Sequence, residues 1–490
     1  MTRRSSVFAA ALAAAALVLG GCATAGGGGS SSSAPATTSA GGASSSAPAE
    51  TSSGAASSAA ASSGMSSSGG SSSGASGAQS SAAGEQSSGA AVSQPAEKVT
   101  LRFQSLAFQD TTIAATKKIV DDWNAANPNI QVELVQGSWD NVHDQLVTQF
   151  QGKTAPDIIH DAADDILGFA QQGYLADLSP YLSPDVKSGV SEGVWKSVTV
   201  DGKVIAAPTL LQTYVVFANS KALSDAGVTA PTGDTMSWDD FQALAKQLTK
   251  SGQYGLGWSL KSPTATMMNL ALNFGGTYFD TSSDPAKITV GDKEMQVPTR
   301  IHAMAYDDKS IDPTSMTQSG SDVLPAFYAG KFAMMVSGDY VAQQISEQAP
   351  SGFTWQVLPP LAGDTADQAA DPQTLSVSAD CKNPKEATEF INYFMQAANL
   401  AAVAQGDWLI PATQSARDEV LKETGGKNGW DQILASGEHL TNAPFLTVAQ
   451  YPQWKDQIAT PAFQQYLADQ IDKDALVSQL SDGWSQVAGG

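Results

Sequence analysis

Three features of the sequence predict an α/β fold for this chain. From Val99 onward, segments with the two-residue alternation of strands take turns with segments in which apolar residues have helical spacing. The predicted strands are short, and Asn, Gly and Pro stand at their ends. The spacing from one strand through a helix to the next strand fits right-handed βαβ units. A largely parallel sheet is therefore expected at the start of the folded part.

The first three strand–helix pairs are expected between residues 99 and 172. The first helix should stop at Asn127, because Pro128 follows it, and Gly173 should end the third helix. Strands are predicted at 99–103, 130–135 and 157–160, and helices at 112–127, 139–151 and 166–172.

Two strand-like runs flank Pro208. A hairpin is predicted over 199–205 with Asp201 and Gly202 as its turn, and 214–218 has the apolar character of a buried strand. Because proline cannot donate a ladder hydrogen bond, the chain is expected to change course at Pro208.

The remainder is expected to continue as strands and helices and to be mainly helical after residue 408. Asn219 and Ser237 stand where side chains cap the first turn of a helix. Further strands are predicted at 332–336, 356–358 and 374–377, and further helices at 237–250, 266–274, 384–396, 400–405 and 475–487.

The first 22 residues have the pattern of an export signal. Arg3 and Arg4 precede an apolar run that is too short to span a bilayer as a permanent helix. The motif LGGC, which ends at Cys22, resembles a bacterial lipobox. Residues 1–21 would then be a lipoprotein signal peptide, and Cys22 the acylated, palmitate-bearing first residue of the mature protein. The alternative is an ordinary signal peptide with an accidental cysteine. Cys381 is expected to be a bystander, without a disulfide partner.

Residues 22–97 consist almost wholly of Gly, Ser, Ala and Thr. They contain few of the large apolar side chains that offset the entropy of ordering a chain, so a disordered tether is predicted. The formal net charge of the whole chain is −22, and no basic cluster offsets it. Such a surface repels phosphates, which excludes nucleic acid as a partner and favours an exported, well-solvated protein.

Six stretches are each weakly specific alone but specific in their order and spacing. They are DGKVIAAPTLLQTYVVFANSKALSDAGVTAP (201–231), APDIIHDAADDILGFAQQGYLADLSPYL (155–182), MSWDDFQALAKQLTK (236–250), FYAGKFAMMVSGDYVAQQI (327–345), VLPPLAG (357–363), and SVSADCKNPKEATEFINYFM (376–395) followed by GDWLIPATQSA (406–416). Together they resemble the family 1 extracellular solute-binding proteins, the sugar-capturing subunits of ABC importers.

That resemblance implies a two-lobed periplasmic-binding-protein-like fold of type II. Mixed sheets flanked by helices would form each lobe, and the lobes would close on a ligand around a three-crossing hinge. The implied domains are lobe 1 at 98–208 and 372–404, lobe 2 at 209–371 and 405–490, and crossings near 209–212, 370–373 and 404–408.

The resemblance also implies a function. The protein would capture a carbohydrate, expected to be an oligosaccharide, and deliver it to the transmembrane subunits of an ABC permease. It would act as a monomer without a cofactor or a metal. A lipid anchor would hold it at the extracellular face of the cytoplasmic membrane of a bacterium, expected to be Gram-positive.

Sugar recognition needs aromatic faces for the C–H side of the ring and polar groups for its hydroxyls. By the resemblance, Asp161 and Asp164 match sugar-binding positions, and Tyr340 matches an aromatic one, which makes it the preferred stacking residue. Helix capping is the alternative for Asp110, Trp139 and one of the two aspartates after the third strand. The full candidate set is Gln109, Asp110, Trp139, Asp161, Asp164, Gln212, Trp258, Asn273, Gly338, Asp339, Tyr340 and Trp408.

Two other readings stay open. The loop at 261–266 lacks the Glu and Tyr of the maltose-type pattern, which favours another glycan or a small polar solute over maltodextrin. No phosphate-binding loop, dinucleotide fingerprint or zinc-ligand spacing is present in the sequence. Because carboxylates are abundant, a secreted lipoprotein enzyme that acts on glycans is the alternative function. The third possible function is the binding of a non-sugar solute by the same fold.

Overall fold

The computed structural model describes residue 95 and residues 97–489. The predicted signal peptide, Cys22 and nearly all of the predicted tether lie outside these residues. Within the described part, no helix has both the length and the apolar character needed to cross a bilayer.

The strands are short and spread along the whole described chain. In order they are β1 (Val99–Ser105), β2 (Ile130–Gln136), β3 (Ile158–Ala162), β4 (Thr199–Val200), β5 (Lys203–Val204), β6 (Ala206–Leu211), β7 (Tyr214–Asn219), β8 (Met236–Ser237), β9 (Tyr254–Trp258), β10 (Phe279–Asp280), β11 (Lys287–Ile288), β12 (Phe332–Gly338), β13 (Trp355–Val357), β14 (Leu361–Ala362), β15 (Gln368–Ala369), β16 (Pro372–Val377), β17 (Ile410–Pro411) and β18 (Leu440–Thr441).

The helices alternate with these strands up to β17 and dominate the chain after it. They are α1 (Asp110–Ala126), α2 (Val142–Gln151), α3 (Ala163–Gln171), α4 (Pro184–Gly189), α5 (Glu192–Ser197), α6 (Ser220–Asp225), α7 (Trp238–Leu248), α8 (Pro263–Ala271), α9 (Gln296–Tyr306), α10 (Gly320–Tyr328), α11 (Val341–Gln348), α12 (Pro384–Phe394), α13 (Ala397–Asp407), α14 (Gln414–Thr424), α15 (Trp430–Ser436), α16 (Tyr451–Trp454), α17 (Thr460–Leu467) and α18 (Lys473–Ala488). A π-helical turn, Lys455–Ala459, joins α16 to α17.

A six-stranded sheet has the order β17-β6-β16-β3-β1-β2. Strand β1 is parallel to both β2 and β3, as the βαβ pattern predicts. The other half is antiparallel, because β16 runs opposite to β3 and β6, and β17 runs opposite to β6. The expectation of a largely parallel sheet therefore holds only for the first three strands, and the sheet as a whole is mixed.

A second sheet of four strands has the order β13-β7-β12-β9. Its central strand pair, β7 and β12, is antiparallel, and β9 lies parallel to β12. Along β7 the side chains alternate between two apolar clusters, with Val215 and Phe217 in one and Val216 and Ala218 in the other. Both faces of this strand are thus buried, which accounts for its continuous apolar sequence.

The chain does not change course at Pro208, contrary to the expectation from the sequence. Strand β6 continues through it, with Pro208 opposite Thr374 and Leu210 opposite Gln373. Thr209 is the extra residue of a β-bulge, and its hydroxyl donates to the Gln373 carbonyl at 3.0 Å. A bulge interrupts the ladder locally, so a strand tolerates proline there.

The main chain passes from the six-stranded sheet to the four-stranded sheet at residues 212–213, between β6 and β7. It has returned by residue 372, where β16 begins. Both passages lie at the edge of the cavity described next.

Candidate functional site

A cavity of about 420 Å³ lies where the two sheets approach each other. Residues at the carboxyl ends of β1, β2 and β3, or within three positions after them, form one wall of the cavity. Parallel strands bring these ends to the same edge of a sheet. The two passages between the sheets, helix α8 and the segment around α16 supply the rest of the lining. This volume is within the range of small-molecule sites in proteins.

Aromatic side chains stand on the wall formed by the first sheet. Phe108 follows β1, lines the cavity and is 51% exposed. Trp139 follows β2, lines the cavity and is half-buried. An exposed phenylalanine at a cavity mouth offers an apolar face to a ligand.

A buried histidine orients an amide in the same wall. The Leu106 N–H donates to His160 Nδ1 at 3.1 Å, so Nε2 carries the ring proton and donates to Gln373 Oε1 at 3.0 Å. The amide nitrogen of Gln373 is then the group left to donate towards the cavity. Burial lowers the pKa of His160 to about 4, so the ring is neutral near pH 7. Trp139 packs against this ring at 5.5 Å between centroids.

Asp339 holds the first passage in place. Its carboxylate accepts the N–H of Thr213 at 3.3 Å and that of Tyr340 at 3.1 Å, and its own N–H donates to the Thr213 carbonyl at 2.9 Å. The side chain is fully buried, and burial raises its pKa. Gly338 matters beside it, since a Cβ there would lie 2.4 Å from the ring of Tyr340. These contacts direct Gln212 and Tyr340 into the lining.

Charged groups gather at the second passage. Lys455 Nζ lies 3.3 Å from Asp164 Oδ2 and 5.5 Å from the centroid of the Tyr451 ring. Burial, and then the nearby charge of Asp164, raise the pKa of Asp371 to about 8. All four residues line the cavity.

Asp407 adds a carboxylate at the end of α13. The Thr112 hydroxyl donates a short hydrogen bond to it. The side chain is only 2% exposed, and burial raises its pKa to about 6. It also lines the cavity.

Four of the sequence candidates line the cavity: Trp139, Asp164, Gln212 and Tyr340. Gln109 is the N-cap residue of α1 and is buried, and Asp110 is exposed in the first turn of that helix. Gly338 and Asp339 shape the first passage, as described above.

Of the other four candidates, three lie in apolar cores away from the cavity lining. Trp258 is fully buried against Trp238, with ring centroids 6.4 Å apart. Asn273 accepts the indole N–H of Trp238 at 2.8 Å and so serves the same core. Trp408 stacks on Trp430 with centroids 4.9 Å apart. Trp258 packs against α7 and Trp408 against α15, and a local turn pattern does not reveal these contacts.

Asp161 lies behind the cavity wall at the end of β3. It is 1% exposed, and its carboxylate accepts the N–H of Ala162 at 2.9 Å. Burial and neighbouring acidic groups raise the pKa of Asp161, and burial raises that of Asp165. His143 in turn contacts Asp165.

Sequence reasoning missed several lining residues. Phe108 could have been found, because it adjoins Gln109 at the end of a predicted strand. Asn269 was visible as the polar residue in the apolar run MMNLA of a helix. Asp371, Tyr451 and Lys455 gave no local signal, because tertiary packing alone brings them to the cavity.

The described residues contain no group of three or more His, Cys, Asp or Glu side chains arranged to hold a metal ion. Cys381 is half-buried outside the cavity lining, and burial raises the pKa of its thiol to about 12.

A family model described as bacterial extracellular solute-binding protein matches residues 109–401. The chain belongs to this family. Its members are substrate-binding proteins rather than enzymes, and the chain has the two-lobed periplasmic-binding-protein-like fold of similar solved structures.

Among the relatives of this extracellular solute-binding protein is an uncharacterized lipoprotein from the oleD 5′ region of Streptomyces antibioticus. The two are 42% identical over 397 residues, which cover 80% of this chain and 86% of that one. A solved structure of a cyclic alpha-maltosyl-1,6-maltose binding protein from Arthrobacter globiformis aligns with a TM-score of 0.68 at 15% identity, over 81% of this chain and all of that one. An ABC substrate-binding protein of Listeria monocytogenes in complex with cycloalternan aligns with a TM-score of 0.66 at 21% identity, over 80% of this chain and all of that one.

Proposed function

We propose that this protein captures an oligosaccharide in the cavity between its lobes and delivers it to the transmembrane subunits of an ABC importer. The observation that carries the proposal is the composition of the cavity. Aromatic rings and hydrogen-bonding side chains reach it from both sheets and from both passages. The names of the similar proteins from Arthrobacter and Listeria support a glycan as the ligand.

The chemistry of the lining suits a sugar. Phe108, Trp139 and Tyr340 supply faces for the apolar side of pyranose rings, and Gln212 and Gln373 supply amides for their hydroxyls. These groups come from different strands and passages, so one ligand would contact both lobes. A ligand that contacts both lobes binds the closed form better and therefore shifts the population towards it.

The passages between the sheets would serve as the hinge. We assign residues 212–213 and 370–371 to two crossings, and place the third between Pro411 of the first sheet and Ala443 of the second apolar cluster. Against the lobe limits expected from the sequence, 208 and 404, this moves both boundaries of lobe 1 outward. Residues 206–211 and 410–411 pair within the six-stranded sheet.

The signal peptide and the acylated Cys22 would anchor the protein to the extracellular face of a Gram-positive cytoplasmic membrane, as a monomer at the end of its tether. The lipoprotein name of the Streptomyces relative supports this arrangement. In this role the protein releases the sugar without having altered it chemically.

The experiment is a titration of the purified protein against a panel of oligosaccharides, followed by chromatography of the recovered sugar. We expect saturable binding of at least one member and recovery of that sugar intact. Conversion of the sugar into a product would establish the enzyme instead, and the absence of a response to every sugar would favour a peptide or a ferric complex as the ligand.

A further inference from the structure

Acidic groups outnumber basic ones among the ionisable side chains that line the cavity. Asp164, Asp371 and Asp407 contribute carboxyl groups, and Lys455 is the one Lys or Arg among the lining residues. Lys455 forms its ion pair with Asp164. Asp407 accepts the Thr112 hydroxyl. In the described part of the chain, Asp371 has no ion-pair partner.

Two acceptor oxygens of the lining are shielded from solvent and have no hydrogen-bond partner among the described residues. Asp371 Oδ1 is shielded from solvent by the protein and has no hydrogen-bond partner among the described residues. Asn269 is 7% exposed, lines the same cavity, and its Oδ1 likewise has no partner there. Asn269 lies on α8, which packs against β15, and β15 ends two residues before Asp371. Two unpartnered oxygens in one cavity call for a ligand rich in donors.

The groups that face Asp371 favour a cation more than a further neutral partner. The charges of Asp164 and Lys455 affect the pKa of Asp371. The pKa values of Tyr214 and Tyr451 are raised by burial and, to a smaller extent, by nearby acidic groups that include Asp371. A hydroxyl would satisfy the oxygen of Asp371 but would leave its carboxyl neutral, whereas a cation beside it would lower the pKa of Asp371 and so allow an ion pair to form. An ammonium group supplies both the donors and the charge, and tyrosine faces also attract cations.

We propose that the cavity binds a saccharide that carries a protonated amino group, with Asp371 as its carboxylate partner and Asn269 as a second acceptor. This inference rests on the proposed function and narrows its ligand class. The amino group would occupy the position that no side chain of the protein fills.

The test is calorimetric titration of the wild-type protein with three probes at about pH 7, where an amine with a pKa of about 7.7–8.0 is mostly protonated and Asp371 can ionise when the amine binds. The probes are chitotriose, which carries amino groups, triacetylchitotriose, in which acetylation removes their charge, and maltotriose. We expect chitotriose to bind about ten-fold or more tightly than either neutral probe, which corresponds to about 1.4 kcal/mol.

A variant links the preference to the carboxylate. Asp371→Asn keeps the shape but cannot ionise to pair with an ammonium group, so it should weaken chitotriose binding about ten-fold and change triacetylchitotriose binding far less. Asp380→Asn, at an exposed turn next to β16, is the matched control and should change neither. Circular dichroism checks that both variants fold, and the comparison of probes on the wild-type chain does not depend on them.

The outcomes separate this inference from the function on which it rests. If a neutral trisaccharide binds and chitotriose binds no more tightly, the amino-group preference is overturned and the oligosaccharide function stands. An equal loss for both probes in Asp371→Asn would also overturn it. If none of the three binds, the inference is overturned too, and the wider panel decides the proposed function.

Discussion

The rings of Tyr340 and Trp139 both line the cavity and both remain partly exposed. A ring in this position loses its remaining contact with water when a sugar covers it. We expect Tyr340→Ala and Trp139→Ala each to weaken saccharide binding by about 1–2 kcal/mol, measured by calorimetry. Tyr181→Ala is the control, because Tyr181 is 37% exposed and does not line the cavity. Unchanged affinity in both cavity variants would refute the role assigned to these rings.

Asp407 should make stability depend on pH. Burial raises its pKa from the model-peptide value of 3.8 to about 6, so its favourable contribution is fully present below about pH 4 and is lost as the pH rises through about 6. We expect the melting temperature of Asp407→Asn, measured without ligand, to rise relative to that of the wild type as the pH increases from about 4 to about 6. A difference between the two proteins that stays constant over this range would contradict the assignment.

The sequence could predict those site residues that a local pattern places. Trp139, Asp164 and Gln212 stand directly after strands, and strand ends in an α/β fold meet at a common edge. Asn269, Asp371 and Lys455 are a different case. They reach the cavity only through the packing of α8, the second passage and the π-helical turn, and no local pattern encodes these contacts.

At the scale of elements, the first passage depends on one buried carboxyl group. Asp339→Ala would leave the N–H groups of Thr213 and Tyr340 buried without their acceptor. Each such loss costs about 1–3 kcal/mol, so we expect a clear fall in the free energy of unfolding in urea. Asp380→Ala, on an exposed turn, is the control. Equal stability of Asp339→Ala and the wild type would show that the passage is held by other contacts.

Elements differ in how far their sequence determines them. The patterns that predict the strands β1, β2 and β3 and the capping of α7 by Ser237 are local, and the structure confirms these predictions. The antiparallel half of the first sheet is not local, because β16 pairs with strands more than 150 residues earlier in the chain. The predicted change of course at Pro208 was wrong for the same reason, because the bulge that accommodates Pro208 depends on the pairing of two distant strands.

At the scale of the whole molecule, we expect no packed contacts between the tether and the folded part. The segment from residue 23 to residue 94 lacks the large apolar side chains needed for a packed core. We expect its deletion to leave ligand affinity and melting temperature unchanged, by calorimetry and differential scanning calorimetry. A lower melting temperature or a weaker ligand complex would show that the segment contacts the folded part.

We expect one saccharide, bound in the cavity, to contact both lobes of the protein and hold them closed. Small-angle X-ray scattering of the tether-deleted protein, with and without a saturating concentration of the oligosaccharide found in the panel, tests it most directly. We expect a smaller radius of gyration in the presence of the sugar, because the ligand favours the closed form. An identical radius of gyration at full occupancy of the site would contradict it.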